Sequence, residues 1–272
     1  SCAHWSEAKR TEMDAFYRLA TTDYRILAEA MDWRRWLESR QEIAGDRPIR
    51  LLDVACGSGK FPVALAVYAG IEEADVRPVA YSLLDPSAFS IAEARAALPG
   101  LFQPDAEYEV PLQLLHCPPG AFDIAWATHA LYAVSPSQLP LAMERFLHAI
   151  GSDGVGVIAH ASEQGHYIRF HRHFLSSFGG QLDQLYTSAE QVQSALEDAG
   201  ASVETRALSY TNGAPDSELE AVEGFLQRCA FDDRYSLDEM LARQPLADYL
   251  KSCLTQGQWR FPQRVALMIV TQ

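Results

Sequence analysis

Short apolar runs and longer amphipathic stretches take turns along most of the chain. The runs at 50–55 (RLLDVA), 79–84 (VAYSLL), 112–115 (LQLL), 122–128 (FDIAWAT) and 155–160 (VGVIAH) have strand length and lie between turn signals. Between them, 59–69, 88–98 and 138–150 carry apolar residues at helical spacing, the last stopped by Gly151. Strand and helix in alternation predict a parallel, doubly wound α/β sheet. A helical stretch over 5–40 precedes the first strand, with Phe16, Leu19, Tyr24, Ile26, Leu27, Met31 and Trp36 on its apolar stripes. It is expected to cap the sheet's active edge. After His160 the pattern changes. An aromatic, His-rich helix is expected over 167–178, and Ser188 with Gln191 has the spacing of a capping box. A sixth strand is expected at 202–209, a helical stretch at 219–254 with an Asp-rich break near Asp232, and a last, antiparallel strand at 264–270. The expected organisation is a helical cap over 1–48, a nucleotide-binding-like core over 49–160, and the rest of the sheet with helical insertions over 161–272.

The richest local signal is 51–61, LLDVACGSGKF. An apolar run ends in Asp53, and Ala55, Gly57 and Gly59 follow at alternate positions before a helix-compatible run. Such a turn lacks side chains where a ligand must approach the backbone. Its N–H groups and the positive helix end suit polar or anionic groups. A phosphate-binding P-loop needs G-x-x-x-x-G-K-[ST], but Gly59-Lys60 is followed by Phe61 and no glycine stands five positions before Gly59. The dinucleotide fingerprint G-x-G-x-x-G is also absent from this turn, whose spacing is A-x-G-x-G.

That spacing, with an acid two residues before the Ala, resembles motif I of class I S-adenosylmethionine (SAM) methyltransferases. The resemblance implies a Rossmann-like, doubly wound, seven-stranded sheet with a helical substrate-binding cap, and SAM as cofactor. The second strand ends in Asp85-Pro86-Ser87. A carboxylate there suits a ribose diol, because it accepts hydrogen bonds from both hydroxyls. The long gap from Asp53 to Asp85 is assigned to an enlarged loop at 71–77. Expected cofactor contacts are Asp53, Ala55, Gly57, Ser58, Gly59, Asp85, Pro86 and Ser87, with His116 and Cys117 after strand three and Thr128 at the exit of strand four.

Composition narrows the partners. The chain has 272 residues and a formal net charge of −14. That acidity would repel a phosphate backbone, so nucleic acid is not expected as a substrate. It is ordinary for a soluble protein and compatible with a cationic or neutral small molecule. Five scattered cysteines without a C-x-x-C pair read as free thiols in a reducing compartment. No apolar run has membrane-spanning length and no signal-peptide pattern opens the sequence, so a cytoplasmic protein without membrane contact is expected. Oligomeric state is left open.

Beyond motif I, the chain resembles the histamine N-methyltransferase family along nearly its whole length. The segments are LLDPSAFSIAEARAAL, FDIAWATHALYAV, TTDYRILAEAM, YTSAEQVQSALEDAG and FLQRCAF. The resemblance implies a pocket that can be carried over by position. The family's carboxylate on the N-terminal helix falls on Asp14, before Ala15 and Phe16. Its glutamine after strand four falls on His129, and its asparagine at the start of the last strand on Gln263. One pocket tyrosine is kept as Tyr132 and the next becomes Ala133. Two tryptophans fall near His166 and Phe170, and a late aromatic is kept as Phe225. The three polar groups expected to hold an imidazole-ethylamine all differ, and misplaced buried polar contacts discriminate strongly. A small molecule other than histamine, such as a natural-product intermediate methylated on N or O, is therefore expected.

Methyl transfer from a sulfonium needs alignment, exclusion of water, and a proton acceptor when the nucleophile carries a proton. His129, at the opening of strand four, is the candidate catalytic residue. It suits either a base, for a phenol or enol, or a hydrogen-bond orienter, for an amine. A buried histidine with no part in catalysis is the plain alternative. His160, His166, His171 and His173 invite a metal reading. Positions 171 and 173 on a helix point about 200° apart and no carboxylate completes a set, so no metal is expected. Phe16, Tyr17, Tyr24, Tyr132, Phe170, Phe174 and Phe178 supply either an aromatic cage or ordinary core. Two alternatives stay open: a SAM-fold enzyme catalysing a non-methylating reaction such as cyclisation or decarboxylation, or an inactive SAM-binding module.

Overall fold

The computed structural model describes residues 10–180 and 185–272, with side chains from Phe16 onward. An eight-stranded sheet runs β3-β2-β1-β4-β5-β8-β6, with the two-residue β7 paired to β8. Strands β1 (Arg50–Val54), β2 (Val79–Leu84), β3 (Phe102–Tyr108), β4 (Ile124–Thr128) and β5 (Val155–Ala161) are parallel. Their crossovers are α3 (Lys60–Tyr68), α4 (Ala88–Ala97) and α5 (Leu139–Ile150). β8 (Gln258–Thr271) inserts antiparallel between β5 and β6 (Ser202–Pro215). The last-strand expectation therefore holds, and both strands are longer than their apolar cores indicate. Their outer halves carry the register Tyr210↔Gln263 and Asn212↔Phe261 beyond the sheet proper, as a platform for the cap.

Three expectations need correction. The third strand is not 112–115 but β3, whose sequence FQPDAEY is mostly exposed because it forms the sheet's edge. An edge strand lacks the apolar signature of a buried one. LQL at 112–114 is instead a 3-10 turn that buries Leu112, with Leu115 just beyond it. The helix expected over 5–40 is two helices, α1 (Arg10–Glu29) and α2 (Trp33–Ala44); residues 5–9 lie outside the described part. The break comes where the Asp32 carboxylate accepts from Arg35 N–H and starts a new helix. The late helical stretch likewise divides into α8 (Leu219–Ala230), α9 (Leu237–Ala242) and α10 (Leu246–Cys253). Phe231 in the left-handed region ends the first, and a Ser236–Glu239 capping box starts the second. The Ser188–Gln191 box opens α7 (Ala189–Asp198) as expected.

The cap forms from α1, α6 (His166–Phe178), α8 and α10, around Phe170, Phe225, Tyr249 and Phe261. α2 is separate from this group: its Trp33 packs edge-on against Phe61, which meets Trp126 in the same way beside the sheet. Between sheet and cap, α3 begins at Gly59, whose φ of +69° is unsuited to a side chain. A Cβ there would sit 3.1 Å from Ala94 Cα and 3.2 Å from Ala94 O. Replacing Gly59 with Ala is expected to lower unfolding free energy by about 1–3 kcal/mol. Denaturant unfolding monitored by tryptophan fluorescence checks this.

Candidate active site

The strand order reverses between β1 and β4, and open α/β sheets bind ligands in the crevice beyond the strand ends at such a point. Here the loops after β1, β2 and β4 meet α1, α6 and α8 around a cleft. In the loop after β1, Ala55, Gly57 and Gly59 all have positive φ. This conformation is costly for Ala55, and such strain collects at functional turns. The position of a Cβ on Gly57 opens toward the cleft, with only the Tyr17 hydroxyl, at 3.9 Å, within contact range.

Asp85 joins two loops. Its Oδ1 accepts from Ser87 N–H at 2.8 Å and its Oδ2 from Gly57 N–H at 3.2 Å. Each oxygen keeps acceptor capacity on the cleft side for a vicinal diol. Burial raises its pKa, and the two N–H donors oppose that rise. Asp53 lies deeper and accepts from the Tyr81 hydroxyl at 2.6 Å, which itself accepts from Trp126 Nε1 at 3.2 Å. Burial pushes the Asp53 carboxyl up to about 7, against those hydrogen bonds. α1 closes over this half through Tyr17. Ser58 Oγ donates to its hydroxyl at 3.1 Å, and Lys60 Nζ stands 4.5 Å from its ring centroid.

The other half of the cleft is aromatic, with Tyr24, Tyr132, Tyr167 and Tyr186 in its walls. Asp23 from α1 is set among them and is 2% exposed. Tyr167 donates to its Oδ2 at 2.5 Å and Asn212 Nδ2 to its Oδ1 at 2.9 Å, while the Tyr210 hydroxyl approaches without closing a bond. Burial outweighs these contacts and pushes the carboxyl up to about 6. It is ionised at neutral pH, in a low-dielectric surround that favours a cation beside it. His129 faces the same space from the exit of β4, with φ of +53° and its N–H on Ala159 O at 2.8 Å. Its Nδ1 lies 2.9 Å from the Tyr132 hydroxyl, and its buried Nε2 has no hydrogen-bond partner among the described residues. Burial holds its pKa down to about 4, so the ring is neutral at physiological pH. Arg228, buried on α8, completes this wall, its Nη2 3.8 Å from Asp233 Oδ2.

No family model and no curated protein matches the chain. Solved structures do. Magnesium protoporphyrin IX methyltransferase from Synechocystis, with bound SAH, is 10% identical at a TM-score of 0.56, over 99% of this chain and 97% of that one. A SAM-dependent methyltransferase from Thermotoga maritima, described as a possible histamine N-methyltransferase, is 14% identical at 0.51, over 78% and 85%. The plantazolicin methyltransferase BpumL, in complex with SAH, is 12% identical at 0.50, over 100% and 93%. The chain has the class I methyltransferase fold. In this methyltransferase fold the cleft gathers Asp53, Ala55, Gly57, Ser58, Asp85, Pro86 and Thr128 on one side, and Phe16, His129 and Tyr132 on the other.

Several residues singled out from the sequence lie elsewhere in this methyltransferase fold. His116 is exposed and Cys117 half-buried, its carbonyl 3.0 Å from His148 Nε2. Both were placed by a third strand that is really a turn. Ser87 caps α4 behind Asp85, and Gly59 packs on Ala94. His166 is fully buried in the cap, its Nδ1 2.8 Å from the Tyr249 hydroxyl and its ring stacked on Phe170 and Phe225. Phe170 and Phe225 are therefore core, with Phe225 backing Phe16 from 5.6 Å. Gln263 is 1% exposed on the β8 platform, outside the cleft wall. The Asp14 side chain lies outside the described residues.

Asp23, Tyr167, Tyr186, Asn212 and Arg228 were missed. For Asp23 a signal existed. It shares a helical face with Ala20 and Leu27, both buried, within the quoted TTDYRILAEAM. An acid on an apolar face needs buried partners, and Tyr167 and Asn212 supply them. Because the folded-state pKa is raised above the unfolded 3.8, ionisation of Asp23 destabilises the fold as pH rises from about 4 to about 6. The cost at neutral pH is about 3 kcal/mol. Asp23→Asn removes it, and an amide flip of Asn212 offers its unbonded Oδ1 to the new NH2. Thermal melts are expected to show the variant more stable at pH 7 and indistinguishable from the parent below about pH 4.

Proposed function

We propose that the protein is a SAM-dependent methyltransferase acting on a nitrogen or oxygen of a small molecule, with an amine as the favoured acceptor. The observation that carries the cofactor is Asp85. Its two oxygens tie the side-chain-free loop at Gly57 to the start of α4 while keeping capacity for a ribose diol. Asp53, Ala55, Ser58 and Thr128 would hold the rest of the nucleoside and the amino-acid end, and Pro86 would pack beside the ribose. When bound, SAM supplies an electrophilic methyl group on a sulfonium.

The residues of the other half act on the acceptor. Asp23, ionised above about pH 6, faces the amine and stabilises the positive charge that develops on nitrogen during transfer. Tyr24, Tyr132 and Tyr167 surround that charge with π faces. α1 excludes water through the Tyr17 contact with Ser58. His129 orients the acceptor from the β4 exit. His166, Phe170, Phe225 and Gln263 act, on this reading, only by supporting the wall.

Asp85→Ala is expected to weaken SAM binding at least tenfold in calorimetric titration without changing which acceptors in an amine and phenol panel receive label from methyl-labelled SAM. Unchanged SAM affinity contradicts the ribose role. Consumption of SAM without label in any product favours a non-methylating reaction.

A further inference from the structure

Three rings at the ends of β4 and β5 form a series whose protons can be placed one at a time. His160 Nε2 lies 2.8 Å from the Thr187 carbonyl. A carbonyl only accepts, so that nitrogen carries the proton of the buried, neutral ring. His160 stacks on Tyr132 with centroids 4.2 Å apart and fixes the plane of the phenol. The phenol oxygen accepts from Ala161 N–H at 3.2 Å. Its other short contact is His129 Nδ1 at 2.9 Å.

A phenol has one proton to give, and Nδ1 is the acceptor within reach. The reverse arrangement, with Nδ1–H donating, places two donors on the phenol oxygen and strands the phenol proton. With Nδ1 accepting, a neutral imidazole keeps its proton on Nε2. That nitrogen is buried at the cleft wall with no partner among the described residues. A buried donor left without an acceptor is costly, and a ligand's lone pair would satisfy it.

We propose that Tyr132 is a positioning residue that locks His129 in the Nε2–H tautomer, so that His129 presents a hydrogen-bond donor to the methyl acceptor and does not serve as its base. The consequence for substrate rests on the acceptor site described under the proposed function. The acceptor carries a lone-pair group facing His129, either a carbonyl, carboxylate or ether oxygen or an unprotonated ring nitrogen, and an amine facing Asp23. Acceptors that must lose a proton from a phenol, enol or carbon receive no help from His129, whose one basic nitrogen is already occupied by Tyr132.

The test needs no ligand. The full chain is prepared with 15N-labelled histidine, and His129 resonances are assigned by their loss in His129→Gln. At pH 7 the expected spectrum has Nε2 in the protonated, pyrrole-like region and Nδ1 in the unprotonated, pyridine-like region. The opposite pattern, or a rapidly averaged pair, overturns the proposal. In Tyr132→Phe the Nδ1 signal is expected to move and the two tautomers to mix; an unchanged spectrum overturns the lock. If Tyr132→Phe fails to fold, the parent spectrum alone decides. Failure to bind SAM leaves this spectrum unaffected, so the two readings fail separately.

Discussion

The Asp85 carboxylate holds the site together by bonding two loops at once. Its two oxygens tie the Gly57 turn to the start of α4 directly. The turn at 55–59 is conformationally expensive, with one alanine among its positive-φ residues, and it persists because the surroundings over-determine it. Asp85 supplies one restraint, the close approach of Gly59 to Ala94 a second, and the Cys56 N–H on Leu84 O a third. The same anchor leaves carboxylate lone pairs and bare backbone facing one side, which is the surface a nucleoside requires.

Three buried carboxylates in one cleft set its electrostatics. Asp23, Asp53 and Asp85 all have raised pKa values, with burial as the largest cause in each. The protein offsets this with hydroxyl and amide donors, and the offset is incomplete. An incompletely neutralised anion among aromatic rings is poor for stability and good for holding a cation. The neutral His129, depressed by the same burial, adds polarity without adding charge. The arrangement suits a reaction in which a positive charge moves from sulfur to nitrogen within a dry space.

The half of the cleft proposed for the cofactor was legible in the sequence because its residues are close together along the chain. Asp53, Gly57 and Gly59 lie within seven residues, and Asp85 ends the next strand. In the other half His129 and Tyr132 were legible, but Asp23, Tyr167 and Asn212 were not, because they are far apart along the chain. Asp23 meets Tyr167 across 144 positions and Asn212 across 189. Asn212 reaches it only because β6 runs past the apolar segment by which the strand was recognised. The family carry-over assigned His166, Phe170 and Phe225 to the pocket for a related reason. Aromatic and histidine residues on α6 look alike whether they face a ligand or, like His166, a stack of Phe170, Phe225 and Phe261. The edge strand β3 was missed because exposure removes the apolar signal that marks its neighbours.

The central claim is that one cleft holds a methyl-donor nucleoside on Asp85 and an acceptor between Asp23 and His129. A crystal structure of the full chain with S-adenosylhomocysteine tests it most directly. The account requires the ribose hydroxyls on the Asp85 carboxylate and the sulfur directed toward the space between Asp23 and His129. A nucleoside bound elsewhere, or a sulfur turned away from that space, contradicts it.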